Sequence, residues 1–408
     1  MSPTRPATGT LEQGLPAPRL RAALLAWYRR HRRDMPWRRT SDPYRVWVSE
    51  VMLQQTQVAT ATPYYERFVA RFPGVRELAA APLDDVLAAW AGLGYYRRAR
   101  HLHAAAASVV REHGARVPAD PAAFAALPGV GRYTAGAVLS IGFGAKLPVL
   151  DGNVARVLAR WSARPLQIKR PADAKVLWAM ASSLVAHGAG AKHPGDWNQA
   201  LMELGAIVCT PRSPRCADCP VRSGCRAFAL GRPEAFPPAA ARRASESVRR
   251  AVAIVARDGK LLVARREGAL LDRLWEPPGA DLGASEDAAI ALASRLRSLG
   301  VRAALSDSGA RVRHTITHRA INVELWLAVP KRAVREAGAL RWADPAARDL
   351  ALTALARKAW AALAAEPIGE RAGGGANSRA ADEALVYAAP PKRGHRRSRP
   401  PRRRPGVS

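Results

Sequence analysis

Cysteine is scarce. The chain contains four, and all lie between 209 and 225. A secreted disulfide framework would spread them along the chain, so the clustering reads as a metal site instead. Long apolar runs are missing as well. No stretch of about 18 uncharged apolar residues occurs, so no membrane-spanning helix is expected. The first residues show no apolar core behind their few charges, so no signal peptide is expected. Acid is in short supply, with 33 Asp and Glu against 64 Lys and Arg, a formal charge of +31. The tail from Ala389 onward carries eight basic side chains and no acid, which leaves +23 on the remainder. Such an excess favours a polyanionic partner and salt-sensitive association. A coding bias towards arginine gives the same excess, so charge alone names no partner. Lysine is absent before Lys146.

What is present suggests two or three domains with real cores, since 48% of the chain is hydrophobic. A helix is expected over 20–31. Asp42-Pro43 is an N-cap followed by proline at the first helical position, predicting a helix from Tyr44 to Ala59. Trp47, Glu50, Val51 and Gln54 share one face of it at i, i+3, i+4 and i+7. Helices follow at Leu83–Ala91 and Arg98–His113, joined by Gly92-Leu93-Gly94. Asp120-Pro121 opens another, running into Leu127. Pro128-Gly129-Val130-Gly131 is then a hairpin between helices, whose glycines permit positive φ and close backbone approach. The free N–H groups of the following helix make an anion site, with Arg132 beside it. A helix-hairpin-helix of this kind grips a phosphate without reading sequence. Asp151-Gly152-Asn153 precedes a helix at Val154–Trp161; taken alone, Asp151 reads as its N-cap.

Residues 172–208 are helical. Cys209, Cys216, Cys219 and Cys225 follow, and four thiolates this close in sequence suit either tetrahedral zinc or a [4Fe–4S] cluster. Arg212, Arg215, Arg222 and Arg226 on the same loop suggest a second phosphate contact. Residues 232–248 read as a linker. Beyond it the pattern turns to strands: 251–256 and 261–264 around the Asp258-Gly259 turn, then a hairpin of 311–317 with 321–329, whose Ile321, Val323, Leu325 and Leu327 alternate. This is a second, α+β domain. Residues 1–18 and 364–408 are expected to be disordered.

Together these features resemble the helix-hairpin-helix DNA glycosylases, and specifically the MutY-type adenine DNA glycosylases. The resemblance covers about 17–330. It rests on Pro36-Trp37-Arg38, 48–56, Gly92 to Tyr96, Leu127 to Thr134, Leu150 to Val154 and the four cysteines. It implies an all-α glycosylase domain over 19–231 with a [4Fe–4S] loop at 209–225, then a Nudix-like domain over 249–363. It implies excision of adenine paired with 8-oxoguanine or guanine in double-stranded DNA, by a cytoplasmic, nucleoid-associated monomer without membrane contact. Glu50 would be the general acid, its pKa raised by an apolar face, and Asp151 an ionised carboxylate beside the sugar. Tyr133 and Asn153 would position Asp151 and the sugar. Gly129, Val130, Gly131, Arg132, Gln55, Thr56 and Tyr95 would contact DNA. Arg33, Trp37, Arg38 and Glu203 would line the base pocket, and Thr317 and His318 would read the lesion.

Endonuclease III shares this pattern but carries Lys where this chain has Tyr133, and that amine forms a Schiff base with the sugar. A lyase for oxidised pyrimidines, or a non-catalytic DNA-binding module, are the alternatives. The helix matching the Nudix metal-binding helix reads Ser294-Arg295-Leu296-Arg297-Ser298 and has no carboxylate, so metal-dependent pyrophosphate hydrolysis is not expected.

Overall fold

A computed structural model of the chain describes residues 16–239, 245–267, 271–316, 318–344, 346 and 350–365, with 364 and 365 as backbone alone. It forms two compact units, divided between Arg243 and Ala244. Most of the two expected loose ends, 1–15 and 366–408, lies outside the described residues.

The first unit is helical. It runs through α1 (Pro18–His31), α2 (Pro43–Leu53), α3 (Val58–Arg71), α4 (Val75–Ala80), α5 (Leu83–Trp90) and α6 (Arg97–Glu112). Then α7 (Pro121–Ala125) and α8 (Arg132–Phe143) flank the hairpin. They are followed by α9 (Gly152–Ser162), α10 (Pro171–Ala186), α11 (Gly188–Lys192), α12 (Pro194–Ile207) and, after the cysteine loop, α13 (Arg226–Ala229).

The capping carboxylates set three of these starts. Asp42 accepts from the N–H groups of Tyr44 (2.8 Å) and Arg45 (3.1 Å), Asp120 from Ala123 (2.8 Å), and Asp151 from Val154 (2.7 Å). Each such cap is worth about 1 kcal/mol. Helix α2 is apolar nearly all round, with eight of its eleven residues buried, and it packs against α8. Trp47 meets Phe124 edge to face at 5.3 Å, a geometry worth about 1 kcal/mol beyond burial. A second apolar cluster, centred on Trp161, Leu184, Trp197 and Leu204, holds α1, α9, α10 and α12 together.

The helix expected over 44–59 is in fact two. It stops at Leu53, Gln55 takes a left-handed φ of 58°, and α3 begins at Val58. The carbonyls freed at the end of α2 are taken by Arg98 of α6. No glycine or proline marks the break, because its cause lies on another helix. The linker is also shorter than expected. Phe236 accepts from Arg160 and Pro238 from Gln167, so the stretch through 238 belongs to the helical unit.

The second unit is built on β1 (Glu246–Ile254), β2 (Ala256–Arg257), β3 (Lys260–Arg265), β4 (Trp275–Glu276), β5 (Gly279–Leu282), β6 (Ala303–Ile316), β7 (Arg319–Pro330) and β8 (Leu340–Ala343). Helices α14 (Ala288–Ser298) and α15 (Ala354–Ala365) complete it. One sheet has the order β5-β1-β7-β6; the other joins β2, β3 and β4, with β8 on β3. The expected pairing of 251–256 with 261–264 is corrected: β1 pairs antiparallel with β5 and parallel with β7, and the turn closes on β3 through Val255, Ala256 and Arg257. Val252 and Ile254 pack with α15, while Ala251 and Ala253 pack with α14. Both faces of β1 are therefore covered, which is why its sequence lacks the alternation of a half-exposed strand. The first strand starts at Glu246 rather than at 251, within the stretch expected as linker, and α15 runs to Ala365.

Candidate active site and cluster loop

The ends of α2, α8, α9 and α12 surround one cavity of about 790 Å³. Its walls include Arg33, Trp37, Arg38, Glu50, Gln55, Thr56, Gly129, Gly131, Tyr133, Asp151, Asn153, Met202 and Glu203. Most of the expected site is thus brought together. Tyr95 lines an adjoining cavity of about 320 Å³ that shares Gln54, Gln55 and Gly129 with the first. Arg132 lies with its guanidinium 4.0 Å above the Trp178 ring. Gly129 has φ 75°, and a Cβ there would stand 2.7 Å from the His101 ring nitrogen, so only glycine lets the hairpin lie this close to α6.

Glu50 is 6% exposed. Burial pushes its carboxyl up to about 7, the negative charge of Asp151 adds to the rise, and the Tyr133 hydroxyl and Arg38 oppose it. Tyr133 Oη donates to Glu50 Oε2 at 2.8 Å and also lies 3.2 Å from Met202 Sδ. The hydrogen bond of Tyr133 is thus to Glu50, the partner that the expectation did not name. Burial raises the Tyr133 hydroxyl well above its ordinary value, so it is a donor.

Asp151 accepts from Val154 N and, at 3.1 Å, from Asn153 Nδ2. Burial raises this carboxyl too, against the N-terminal N–H groups of α9, the Asn153 amide and Arg156. The helix terminus thus offsets desolvation rather than overriding it. Arg156 bonds Asn153 Oδ1 (2.8 Å), the Gly205 carbonyl (2.8 Å) and the Cys209 carbonyl (2.8 Å).

Glu203, 1% exposed, lines the same cavity. It accepts from the Arg33 backbone N–H (2.9 Å), Arg33 Nε (2.9 Å) and Nη2 (2.7 Å), and Arg38 Nη1 (3.1 Å) and Nη2 (2.8 Å). Despite its burial these donors hold it at about 2. Neither Met202 nor Arg156 carried a sequence signal: each matters through partners on other helices.

The four cysteines are half-buried, unpaired in disulfides, and line one small cavity with Arg160 and Trp161. Burial raises the Cys219 and Cys225 thiols, while backbone N–H groups of Val221, Ala227 and Phe228 oppose it and favour the thiolates. Arg160 Nη1 stands 3.3 Å from Cys209 Sγ. Among the described residues no group of three or more His, Cys, Asp or Glu closes to single-ion geometry. Four thiols lining one shared space are, by residue type, ligands for a [4Fe–4S] cluster or for tetrahedral zinc. Arg215 donates to the Ile207 carbonyl and Arg222 lies over Phe228, so those two are engaged within the loop.

In the second unit, Thr317 lies outside the described residues. His318 Nε2 stands 3.6 Å from Glu246, which also pairs with Arg319. Helix α14 carries no carboxylate. Glu276, 4% exposed, is engaged by Arg250 and Arg266.

Residues 48–179 match the model of the HhH-GPD superfamily of base excision DNA repair proteins. Residues 209–225 match the iron-sulfur binding domain of endonuclease III, and 250–362 the NUDIX domain. Through residues 48–179 the helical unit is similar to the HhH-GPD superfamily, and its four-cysteine loop is the site of a [4Fe–4S] cluster.

Curated proteins that the chain is similar to include adenine DNA glycosylases. The human one is 49% identical over 216 residues, covering 51% of this chain and 39% of that protein. The mouse one is 40% identical over 319 residues, covering 65% and 61%. That of Arabidopsis thaliana is 42% identical over 238 residues, covering 52% and 37%. The chain spans between 37% and 61% of the length of these relatives. Among the described residues no helix is long and apolar enough to cross a membrane.

Proposed function

We propose that this chain is a monofunctional adenine DNA glycosylase, acting as a monomer on double-stranded DNA at adenine opposite 8-oxoguanine or guanine. The observation that carries the reading is the pair of buried carboxyls in one cavity, Glu50 held at about 7 by burial and Asp151 braced by a helix N-terminus. A base must leave the stack to enter such a cavity. Glu50, protonated near neutral pH, then delivers its proton to N7 of adenine as the glycosidic bond breaks. Asp151 stabilises the oxocarbenium-like sugar, the division of labour seen in glycoside hydrolysis. Tyr133 keeps Glu50 oriented, Asn153 keeps Asp151 oriented, and Arg33, Trp37, Arg38 and Glu203 shape the wall against the base. The 128–131 hairpin and Arg132 grip the backbone, with Gln55, Thr56 and Tyr95 at the stack; Thr317 and His318 are the residues proposed to read the lesion. The cluster, when bound, cross-links the 209–225 loop.

An endonuclease III-like lyase needs an amine beside Asp151. Among the described residues no lysine lines the cavity, and the Tyr133 oxygen is engaged with Glu50. The deciding experiment incubates an adenine:8-oxoguanine duplex with the protein and then treats half with alkali. Cleavage at adenine after alkali alone is expected. Cleavage without alkali, or cleavage only of a thymine-glycol duplex, would favour the lyase.

A further inference from the structure

Two residues lining the adjoining cavity hold left-handed backbone without being glycine: Gln55 (φ 58°) and Tyr95 (φ 49°). Such angles persist in L-residues only where the surroundings enforce them. Gln55 follows α2 and Tyr95 precedes α6, so the two tips belong to different turns. One side chain joins them. Arg98 Nη1 donates to the carbonyls of Val51 (2.8 Å), Met52 (2.9 Å) and Gln54, at the end of α2. Arg98 Nη2 donates to Thr56 Oγ1 (3.2 Å) and to the Gly94 carbonyl (3.1 Å). Its guanidinium lies 5.5 Å from the ring centroids of both Trp90 and Tyr95.

We infer that Arg98 is a positioning residue for base extrusion, a single fork that fixes Gln55 and Tyr95 at the separation needed to enter the helical stack together. The reasoning is geometric. The carbonyls at a helix C-terminus are its unsatisfied, partly negative end, and α2 ends there because Arg98 takes them. The same guanidinium takes the carbonyl just before Tyr95. Lysine has one nitrogen and no planar fork, so it can serve one turn but not both. Burial lowers the Arg98 pKa to about 10, which still leaves it charged at neutral pH. The inference rests on the DNA-glycosylase reading above.

The test uses a duplex with 2-aminopurine opposite 8-oxoguanine, whose fluorescence rises when the base unstacks. Wild type, Arg98→Lys, the double variant Gln55→Ala/Tyr95→Ala, and the triple variant are compared. Arg98→Lys is expected to reduce the unstacking rate at least tenfold, while the unfolding midpoint, the cluster absorbance and the salt dependence of duplex binding stay near wild type. In the Gln55→Ala/Tyr95→Ala background the same change is expected to add less than twofold, because its route is already removed. Wild-type unstacking in Arg98→Lys, or a full further tenfold loss in the triple variant, overturns the inference. Should Arg98→Lys fold poorly, the ratio of triple to double variant, taken per cluster-loaded molecule, still decides it. If wild type itself neither binds nor unstacks this duplex, the glycosylase reading fails first.

Discussion

Glu50 and Glu203 line one cavity, 6% and 1% exposed, yet one carboxyl lies near 7 and the other near 2. The difference is in their partners. Glu203 receives five donors from Arg33 and Arg38, four of them charged. Glu50 receives one neutral hydroxyl and faces the charge of Asp151. Burial alone therefore predicts nothing about protonation; the supply of positive donors decides it. Glu50 is kept as an acid, and Glu203 as a fixed anion that orders two arginines.

Tests of this comparison differ in size. The largest effect is expected from Glu50→Gln, which should bind the mismatch duplex and lose excision by about 10²–10⁴-fold in single-turnover assays; excision near the wild-type rate would mean the acid is misassigned. Next, Glu203→Gln strands Arg33 and Arg38, and breaking a buried pair costs about 3–5 kcal/mol, seen as a lower denaturation midpoint.

Stability should respond to pH with opposite signs. The folded Glu50 carboxyl lies above its ordinary 4.5, so its contribution is complete below that pH and is lost as pH rises through about 7. The loss is on the order of 3 kcal/mol, and Glu50→Gln should recover much of it at pH 8. Glu203 lies below its ordinary value, so its contribution is present above 4.5 and is lost as pH falls through about 2. A Glu50→Gln variant less stable than wild type at pH 8 would contradict this assignment.

Tyr133→Lys replaces the donor of Glu50 with a cation, which should keep the acid ionised and slow excision by about tenfold per pKa unit lost. It should also yield an adduct trapped by borohydride, and failure to trap one counts against the Tyr/Lys distinction. The smallest effect is expected from His318→Ala. It should reduce the preference for 8-oxoguanine over guanine by a few-fold, measured as a ratio of excision rates. An unchanged ratio would place lesion reading on other residues.

Much of this was legible in the chain. Asp42, Asp120 and Asp151 announced their helices because an N-cap is local chemistry, and the hairpin glycines and clustered cysteines speak through their immediate neighbours. What stayed hidden depends on distant partners. Neither Gln54 nor Gln55 reveals that Arg98 ends α2. Tyr133 shows a missing lysine but not its bond to Glu50. Strand β1 read as half of a hairpin because the turn at Asp258-Gly259 is real, yet its parallel partner β7 begins only at Arg319, beyond α14 and β6.

Gly205 carries a last consequence. A Cβ on this residue of α12 would stand 2.6 Å from that of Asn153, with the Asn153 backbone just behind it. Asn153 braces Asp151, so a single methyl group at 205 would press on the carboxylate through one neighbour, without touching the cavity itself. An inherited change at such a position would look like a conservative core substitution and act as a catalytic one.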